Sequence, residues 1–74
     1  MAKNYFENGE IHRETYEAYG RNLLILNKAI ENYQRAIKLD PDNFLYHYQL
    51  GYSYHLMRRL MEASNEYEVV LKLD

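Results

Sequence analysis

Residues 29–40 read AIENYQRAIKLD, and residues 63–74 read ASNEYEVVLKLD. Alanine, tyrosine, lysine, leucine and aspartate return in the second stretch at one constant offset, the interval from residue 40 to residue 74. A fixed period of roughly 20–50 residues is the signature of a protein built from stacked copies of one structural unit. The two stretches therefore predict two copies of one unit, of which the first begins before residue 29, and the offset between them is the repeat period.

The composition is that of one small domain without disulfides. The chain has 74 residues, no cysteine and a formal charge of -2. A domain of this size buries only about 60% of its unfolded surface, and the lack of cysteine excludes disulfides, thiolate metal sites and cysteine nucleophiles. Without clustered lysine and arginine, nucleic acid and anionic membranes are not expected as partners. We therefore expect the domain to gain stability by association.

The N-terminal sequence, MAKNYFENGE, has no apolar stretch of the kind that a leader peptide needs. No apolar run in the chain approaches the ~20 residues required to cross a bilayer. We predict a cytoplasmic protein without a membrane segment.

Helical periodicity covers most of the chain after residue 22. Pro41 removes a backbone donor where one periodic segment ends, and Asp42 or Asn43 can cap the next helix. Apolar residues recur three and four apart on both sides of this proline, which is typical of amphipathic helices. These residues are Leu23, Leu26, Ile30, Tyr33 and Ile37 before it, and Leu45, Tyr48, Tyr52, Leu60, Ala63, Tyr67, Val70 and Leu71 after it. We predict an all-α protein with a helix from about residue 22 to 39 and a helical hairpin after Pro41.

The segment around Gly20 permits two predictions. Gly20 can end an earlier helix, with Asn22 as the next N-cap, or it can lie inside one long helix at a cost of about 1 kcal/mol. Tyr16 and Tyr19 keep the helical spacing across Gly20. The pattern therefore does not distinguish a turn at Gly20 from a continuous helix. Residues 1–9 are polar, and we predict that they are flexible.

Residues 47–54 read HYQLGYSY and are followed by the spacing A-x-x-x-Y. With the repeat period, this resembles the tetratricopeptide repeat of about 34 residues, whose pattern is W-x-x-L-G-x-x-Y, then A-x-x-x-F, then P. The matching residues are Leu50, Gly51, Tyr54, Ala63 and Tyr67, and His47 takes the place of the tryptophan. Small residues such as Gly51 and Ala63 allow two helices to cross closely, while larger ones fill the space around the crossing.

The resemblance implies antiparallel helical hairpins, an α-α superhelix fragment of three or four helices. It divides the chain into a flexible N-terminus (1–9), a first, divergent repeat (10–41) and a second repeat (42–74) that lacks a terminal proline and a capping helix. The residues expected to pack within and between the repeats are Ala29, Tyr33, Leu50, Gly51, Tyr54, Ala63 and Tyr67.

The first repeat departs from the pattern at its small residue. Counting back from Ala29 places Glu17 where Gly51 stands in the second repeat, and Gly20 lies three residues too close. Either the turn between the helices is altered, or the two helices are fused into one. A fused helix would favour exchange of segments between two chains.

The resemblance also implies a peptide-binding groove along the first helix of each repeat. Carried onto this chain, the groove residues are Leu45, Tyr48, Gln49, Tyr52 and His55. Tyrosine suits such a site because its rigid ring offers a large contact area and its hydroxyl can bond a peptide carbonyl. The alternative is that a neighbouring first helix covers these tyrosines and makes them part of the core.

Residues typical of catalysis are present without the spacing that catalysis needs. The three histidines, His12, His47 and His55, include no pair four residues apart that could bind a metal from one helix. Glu10 and Glu14 are spaced as a pair on an exposed helix face, which is usually solvated. We therefore expect no enzymatic activity and no cofactor or metal.

Two functions from different classes remain. The first is an interaction scaffold that binds a peptide or protein segment in the tyrosine-lined groove. The second is a self-association module, a homo-oligomer whose tyrosines are buried between copies. The last helix is predicted to expose four apolar residues in part: Leu60, Val69, Val70 and Leu73. We expect another copy of the chain, or further repeats, to cover this surface.

Overall fold

The computed structural model describes residues 1–73, which fold into four helices: α1 (Ala2–Ala18), α2 (Leu23–Leu39), α3 (Phe44–Leu56) and α4 (Leu60–Leu73). α1 packs against α2, α3 packs against α4, and a narrower contact joins α2 to α3. Short links make successive helices antiparallel. The Cα atoms extend over 34 × 28 × 14 Å, and the shortest dimension holds two layers of helices about 8–10 Å apart. The predicted all-α fold of antiparallel hairpins is confirmed, and residues 1–73 contain no strand.

A turn separates α1 from α2 at Gly20. Gly20 has φ +101°, a left-handed conformation that side chains with a Cβ rarely adopt, and Arg21 follows with φ 58°. The side-chain oxygen of Asn22 then accepts a hydrogen bond from the backbone N–H of Leu24 at 2.8 Å and caps α2. Of the two alternatives at Gly20, the chain adopts the turn. The continuous helix is therefore wrong, and segment exchange between two chains stays a prediction without that helix as its reason.

Asn43 caps α3 in the same way, by accepting a hydrogen bond from the N–H of Leu45 at 3.1 Å. The link between α3 and α4 contains Arg58 with φ 66°, and the first turn of α4 begins with a hydrogen bond from the N–H of Ala63 to the carbonyl of Arg59 at 3.0 Å. Both hairpins therefore turn through an arginine in the left-handed region.

The core lies where the two hairpins meet. Tyr33 and Leu26, both 0% exposed, are its largest fully enclosed apolar side chains. Of the residues expected to pack within and between the repeats, the buried ones are Ala29, Tyr33, Leu50, Gly51, Tyr54 and Ala63, and Tyr67 is half-buried.

Each hairpin closes by a contact between a glycine and a tyrosine ring. A Cβ placed on Gly51 would lie 2.7 Å from the ring of Tyr67, and a Cβ placed on Gly9 would lie 2.7 Å from the ring of Tyr33. Real Cβ atoms do not approach other atoms so closely, so only glycine allows these helices to cross at this distance. Tyr33 and Tyr67 stand one repeat period apart, and the two contacts are therefore equivalent.

Gly9, and not Glu17, is thus the small residue of the first hairpin. The interval from Gly9 to Ala29 is eight residues longer than the interval from Gly51 to Ala63. The additional residues lengthen α1 and α2 by about one turn each beyond their crossing and lengthen the link by one residue. Counting back by a fixed period missed the match because of this extension.

The prediction that residues 1–9 are flexible is also wrong. α1 begins at Ala2, and its first turns are held by Phe6, which packs against Tyr33 with the ring centroids 5.7 Å apart, and by Gly9. The first hairpin therefore extends over residues 2–39, beyond the start at residue 10 that the sequence indicated.

Candidate functional site

The five residues of the predicted groove follow one side of α3 at helical spacing. Leu45 is 41% exposed and Tyr48 is 48% exposed. His55 is also exposed, while Gln49 and Tyr52 are half-buried. These residues, defined here as the α3 stripe, keep part of their surface accessible, and α1 covers part of Tyr52.

The contact between Tyr52 and α1 is polar. The hydroxyl of Tyr52 donates a hydrogen bond to Glu17 at 2.7 Å, and the guanidinium of Arg13 lies 5.4 Å from the centre of the Tyr52 ring. The hydrogen bond to Glu17, together with some burial, holds the pKa of Tyr52 above its ordinary value. Tyr52 is therefore fixed in place as a neutral side chain.

Arg13 is the centre of a network along α1. Its guanidinium donates to Glu17 at 2.6 Å, to Glu10 at 3.3 Å and to the hydroxyl of Tyr33 at 3.2 Å, and that hydroxyl donates to Glu10 at 2.5 Å. Burial and the hydrogen bond to Glu10 raise the pKa of Tyr33 above its ordinary value. The network joins α1 to α2 and, through Tyr52, to α3. Its polar groups form hydrogen bonds with one another. Within the α3 stripe, the network holds Tyr52 against α1.

At its C-terminal end, the α3 stripe meets a cationic cavity. This cavity of about 420 Å³ is lined by Arg21, His55, Leu56, Arg58 and Leu60. Within residues 1–73, neither arginine lies within 4.0 Å of a carboxylate, in contrast to Arg13 and Arg59. Two unpaired guanidinium groups beside an imidazole can bind a carboxylate or another anion.

At its N-terminal end, the α3 stripe meets an apolar cavity. The rings of Tyr48 and Tyr67 lie 5.9 Å apart and border, with Val70 and Leu71, a cavity of about 330 Å³. Leu71 is 77% exposed. We define Tyr48, Tyr67, Val70 and Leu71 as the α4 face. This face is an apolar surface that is open to solvent.

His47 has a structural position. It is 8% exposed, and its ring nitrogens lie 2.7 Å from a carboxylate oxygen of Glu66 and 2.7 Å from the carbonyl oxygen of Pro41. His47 stands where the repeat pattern has tryptophan. Through these two contacts it joins α4 to the link before α3. No group of three or more His, Cys, Asp or Glu residues within 1–73 is arranged to hold a metal ion.

A family model matches the middle of the chain. Residues 26–57, from α2 through the end of α3, match the family model of the tetratricopeptide repeat. The chain is thus similar to this family over α2 and α3. Its four helices amount to about one and a half to two repeats, and repeats of this family are typically non-catalytic scaffolds that bind proteins or peptides.

One curated relative has a similar segment. A protein O-mannosyl-transferase of Caenorhabditis elegans is 45% identical over 47 residues, which are 62% of this chain and 7% of that protein. The chain thus spans a small part of the length of this relative. No solved structure matches the chain.

Sequence reasoning missed Gly9 and the pairing of Arg13. A signal for Gly9 was present, since Tyr5 precedes it by four residues just as His47 precedes Gly51. The sequence permits an ion pair between Glu17 and Arg21, but in the structure Glu17 pairs with Arg13. The turn at Gly20 ends α1 before Arg21. Glu17 and Arg21 therefore do not lie on one helix, and an ion pair at four-residue helical spacing cannot form between them.

None of the four helices in residues 1–73 has the length and apolar character needed to cross a membrane. The cytoplasmic location stays a prediction from the sequence.

Proposed function

We propose that this protein is a non-catalytic scaffold that binds an extended segment of another protein along the α3 stripe. The observation that carries the proposal is the accessible aromatic surface of Tyr48 beside Tyr52, whose hydroxyl is already bonded to Glu17. A ring that is held in place loses little conformational entropy when a peptide packs against it.

The two ends of the α3 stripe differ in chemistry, which indicates the kind of segment that it fits. Leu45 and Tyr48 are apolar, whereas His55 lies beside Arg21 and Arg58. Tyr48 and His55 are about 10 Å apart along the helix axis, a distance that about three residues of an extended peptide span. The preferred segment therefore carries an apolar residue and, about three positions away, an acidic group.

Selection from a displayed library of random peptides tests this proposal. We expect the wild-type protein to enrich peptides with an apolar and an acidic residue at that separation. Tyr48→Ala and the double change Arg21→Ala with Arg58→Ala should each weaken the selected peptides by about tenfold. Lys28→Ala, an exposed position on α2, is the matched control and should leave binding unchanged. Selected peptides that bind all variants equally would refute the role of the α3 stripe.

A second candidate function is self-association, which the exposure of apolar side chains on α4 favours. Leu60, Met61 and Leu71 are 56%, 78% and 77% exposed, and Val69 and Val70 are half-buried. Sedimentation velocity over a range of concentrations tests it. A homo-oligomer at high micromolar concentration would support self-association, and a strict monomer would exclude it.

A further inference from the structure

We infer that the cationic cavity holds the phosphate group of a phosphorylated segment of another protein. The cavity lies at the C-terminal end of the α3 stripe and has Arg21, Arg58 and His55 in its wall. The inference rests on the proposed function, for which it names the acidic group that binds at this end of the stripe.

Two guanidinium groups from different parts of the chain meet at this cavity. Arg21 belongs to the link between α1 and α2, and Arg58 belongs to the link between α3 and α4. Both side chains are exposed, and within residues 1–73 neither is paired with a carboxylate, whereas Arg13 and Arg59 each pair with glutamate. The two positive charges at the cavity are therefore available to a ligand.

The backbone conformation at both arginines is unfavourable. Within residues 1–73, Arg21 with φ 58° and Arg58 with φ 66° are the two residues other than glycine that have a positive φ. Side chains with a Cβ resist this conformation. Both strained residues line the same cavity, and strain of this kind is concentrated at functional sites.

The end of α3 indicates that glycine would suit the fold better than Arg58 does. The N–H of Arg58 donates to the carbonyl of His55 at 3.0 Å, and the N–H of Arg59 donates to the carbonyl of Tyr54 at 2.9 Å. In this type of helix end, the residue in the left-handed conformation is usually glycine, as it is at Gly20 after α1. We attribute the arginine at position 58 to the role of its guanidinium in the cavity.

A phosphate group fits two arginines better than a carboxylate does. A carboxylate has one charge and two oxygens in one plane, and a single guanidinium already matches both oxygens. A phosphate monoester has a charge of about -1.5 to -2 at pH 7 and three acceptor oxygens. It can therefore accept hydrogen bonds from Arg21 and Arg58 together, and from the imidazole of His55.

The position of His55 connects this phosphate to the segment on the α3 stripe. His55 belongs both to the stripe and to the wall of the cavity, and Tyr48 is about 10 Å from it along the helix axis. About three residues of an extended peptide span this distance. A segment with an apolar residue on Tyr48 therefore places a phosphorylated residue, about three positions away, at the cavity.

Labelled peptides that differ at one position test the inference. Each has a leucine and, three positions away, phosphoserine, glutamate or serine, in a background of alanine and glycine. Two sets cover the two chain directions, and the set that binds more tightly is used. Fluorescence anisotropy should show the phosphoserine peptide binding the wild-type protein about tenfold more tightly than the glutamate peptide, because it engages a second guanidinium. The serine peptide should bind more weakly still.

Replacement of Arg58 by glycine separates binding from folding. Arg58→Gly should weaken the phosphoserine peptide by about tenfold and raise the midpoint of thermal unfolding by about 4 °C, because glycine adopts a positive φ without strain. Arg59→Ala, the matched control, removes the same charge from the adjacent position, where it is paired with Glu62, and should change binding by less than about twofold. Equal losses of binding in the two variants, or unchanged binding in Arg58→Gly, would overturn the inference.

Inorganic phosphate distinguishes a phosphorylated segment from a free phosphate. It should bind at least about tenfold more weakly than the phosphoserine peptide, because it lacks the contact with Tyr48. Equally tight binding would assign the cavity to a free phosphate and overturn the segment as its source. Equal binding of the phosphoserine and glutamate peptides would overturn this inference alone, whereas binding of none of the peptides would contradict the proposed function as well.

Discussion

Single glycines decide how this chain folds, and they do so for two different reasons. Gly9 and Gly51 are needed because glycine has no side chain, and a tyrosine ring occupies the space where a Cβ would stand. Gly20 has no atom within 4 Å of an added Cβ but has φ +101°, so its role is conformational. The same residue type thus closes two hairpins and turns the chain between two helices.

The volume argument predicts a difference between Gly9→Ala and Gly51→Ala. Tyr33 is enclosed and bonded to Glu10 and Arg13, so it cannot move away from a new methyl group, and we expect Gly9→Ala to cost about 1–3 kcal/mol. Tyr67 borders an open cavity and can shift, so Gly51→Ala should cost less. Urea denaturation measures both. A larger loss for Gly51→Ala would contradict the tighter enclosure of Tyr33.

The conformational argument predicts that Gly20→Ala destabilises the protein by about 1 kcal/mol, because alanine resists a positive φ. Gly20→Asn is the matched control and should lose less, since asparagine tolerates the left-handed region. Thermal unfolding of the wild-type protein, Gly20→Ala and Gly20→Asn measures both losses of stability. Stabilisation by alanine would mean that a helix passes through Gly20.

At the scale of helices, the sequence predicted α2, α3 and α4 well and α1 poorly. Pro41 and the caps Asn22 and Asn43 mark boundaries with local chemistry, and the apolar period between them is regular. The start of α1 is polar, and its anchors, Phe6 and Gly9, act through a contact with Tyr33, which lies on the next helix and is distant in the sequence. From the sequence alone, a glycine in a polar segment indicates flexibility, because its contact with Tyr33 cannot be seen there.

The candidate site was predictable to a similar degree. The positions of the α3 stripe followed from the resemblance to the family, because they lie on one helix at fixed spacing. Its accessibility did not follow, since this depends on how far α1 extends over Tyr52. The network around Arg13 was also out of reach, because helical spacing permits more than one partner for Glu17 and only the turn at Gly20 selects Arg13.

The network between α1 and α2 predicts a dependence of stability on alkaline pH. The pKa of Tyr33 is raised in the folded protein, so above about pH 10 the unfolded chain loses this proton while the folded chain keeps it. The free energy of unfolding should therefore be at its full value below that pH and fall above it. In Tyr33→Phe this fall should be less steep, by about 1.4 kcal/mol per pH unit. Urea denaturation between pH 8 and pH 11 measures it, roughly bracketing the ordinary pKa of tyrosine.

Tyr19→Phe is the control for this experiment, since Tyr19 is 80% exposed and should leave the pH profile as it is in the wild-type protein. An identical alkaline slope in Tyr33→Phe and wild type would show that Tyr33 does not hold its proton on folding. At neutral pH, Tyr33→Phe should cost about 1 kcal/mol through the loss of its hydrogen bonds.

At the scale of the whole molecule, the two hairpins leave unequal outer surfaces. α1 presents polar side chains on its outer side, among them Asn4, Glu7 and Asn8, whereas the α4 face is apolar. A polar surface tolerates water, and an exposed apolar patch is typical of an interaction site. The α4 end of the stack therefore carries apolar surface that the proposed scaffold role could use.

This asymmetry predicts how the folded monomer responds to substitutions. Leu71→Asp should change the free energy of unfolding by no more than about 0.5 kcal/mol, because Leu71 is already in water. Leu26→Ala, at a position that is 0% exposed, should cost about 2–5 kcal/mol. Urea denaturation compares the two. A cost for Leu71→Asp as large as that for Leu26→Ala would mean that the α4 face is covered in solution.

The central claim is that both hairpins close on the same contact between a glycine and a tyrosine, despite their different lengths. Nuclear Overhauser effects between glycine Hα atoms and tyrosine ring protons measure it directly. The account predicts such effects from Gly9 to Tyr33 and from Gly51 to Tyr67. Effects from Gly51 to Tyr67 alone, with Glu17 close to Tyr33 in place of Gly9, would contradict it.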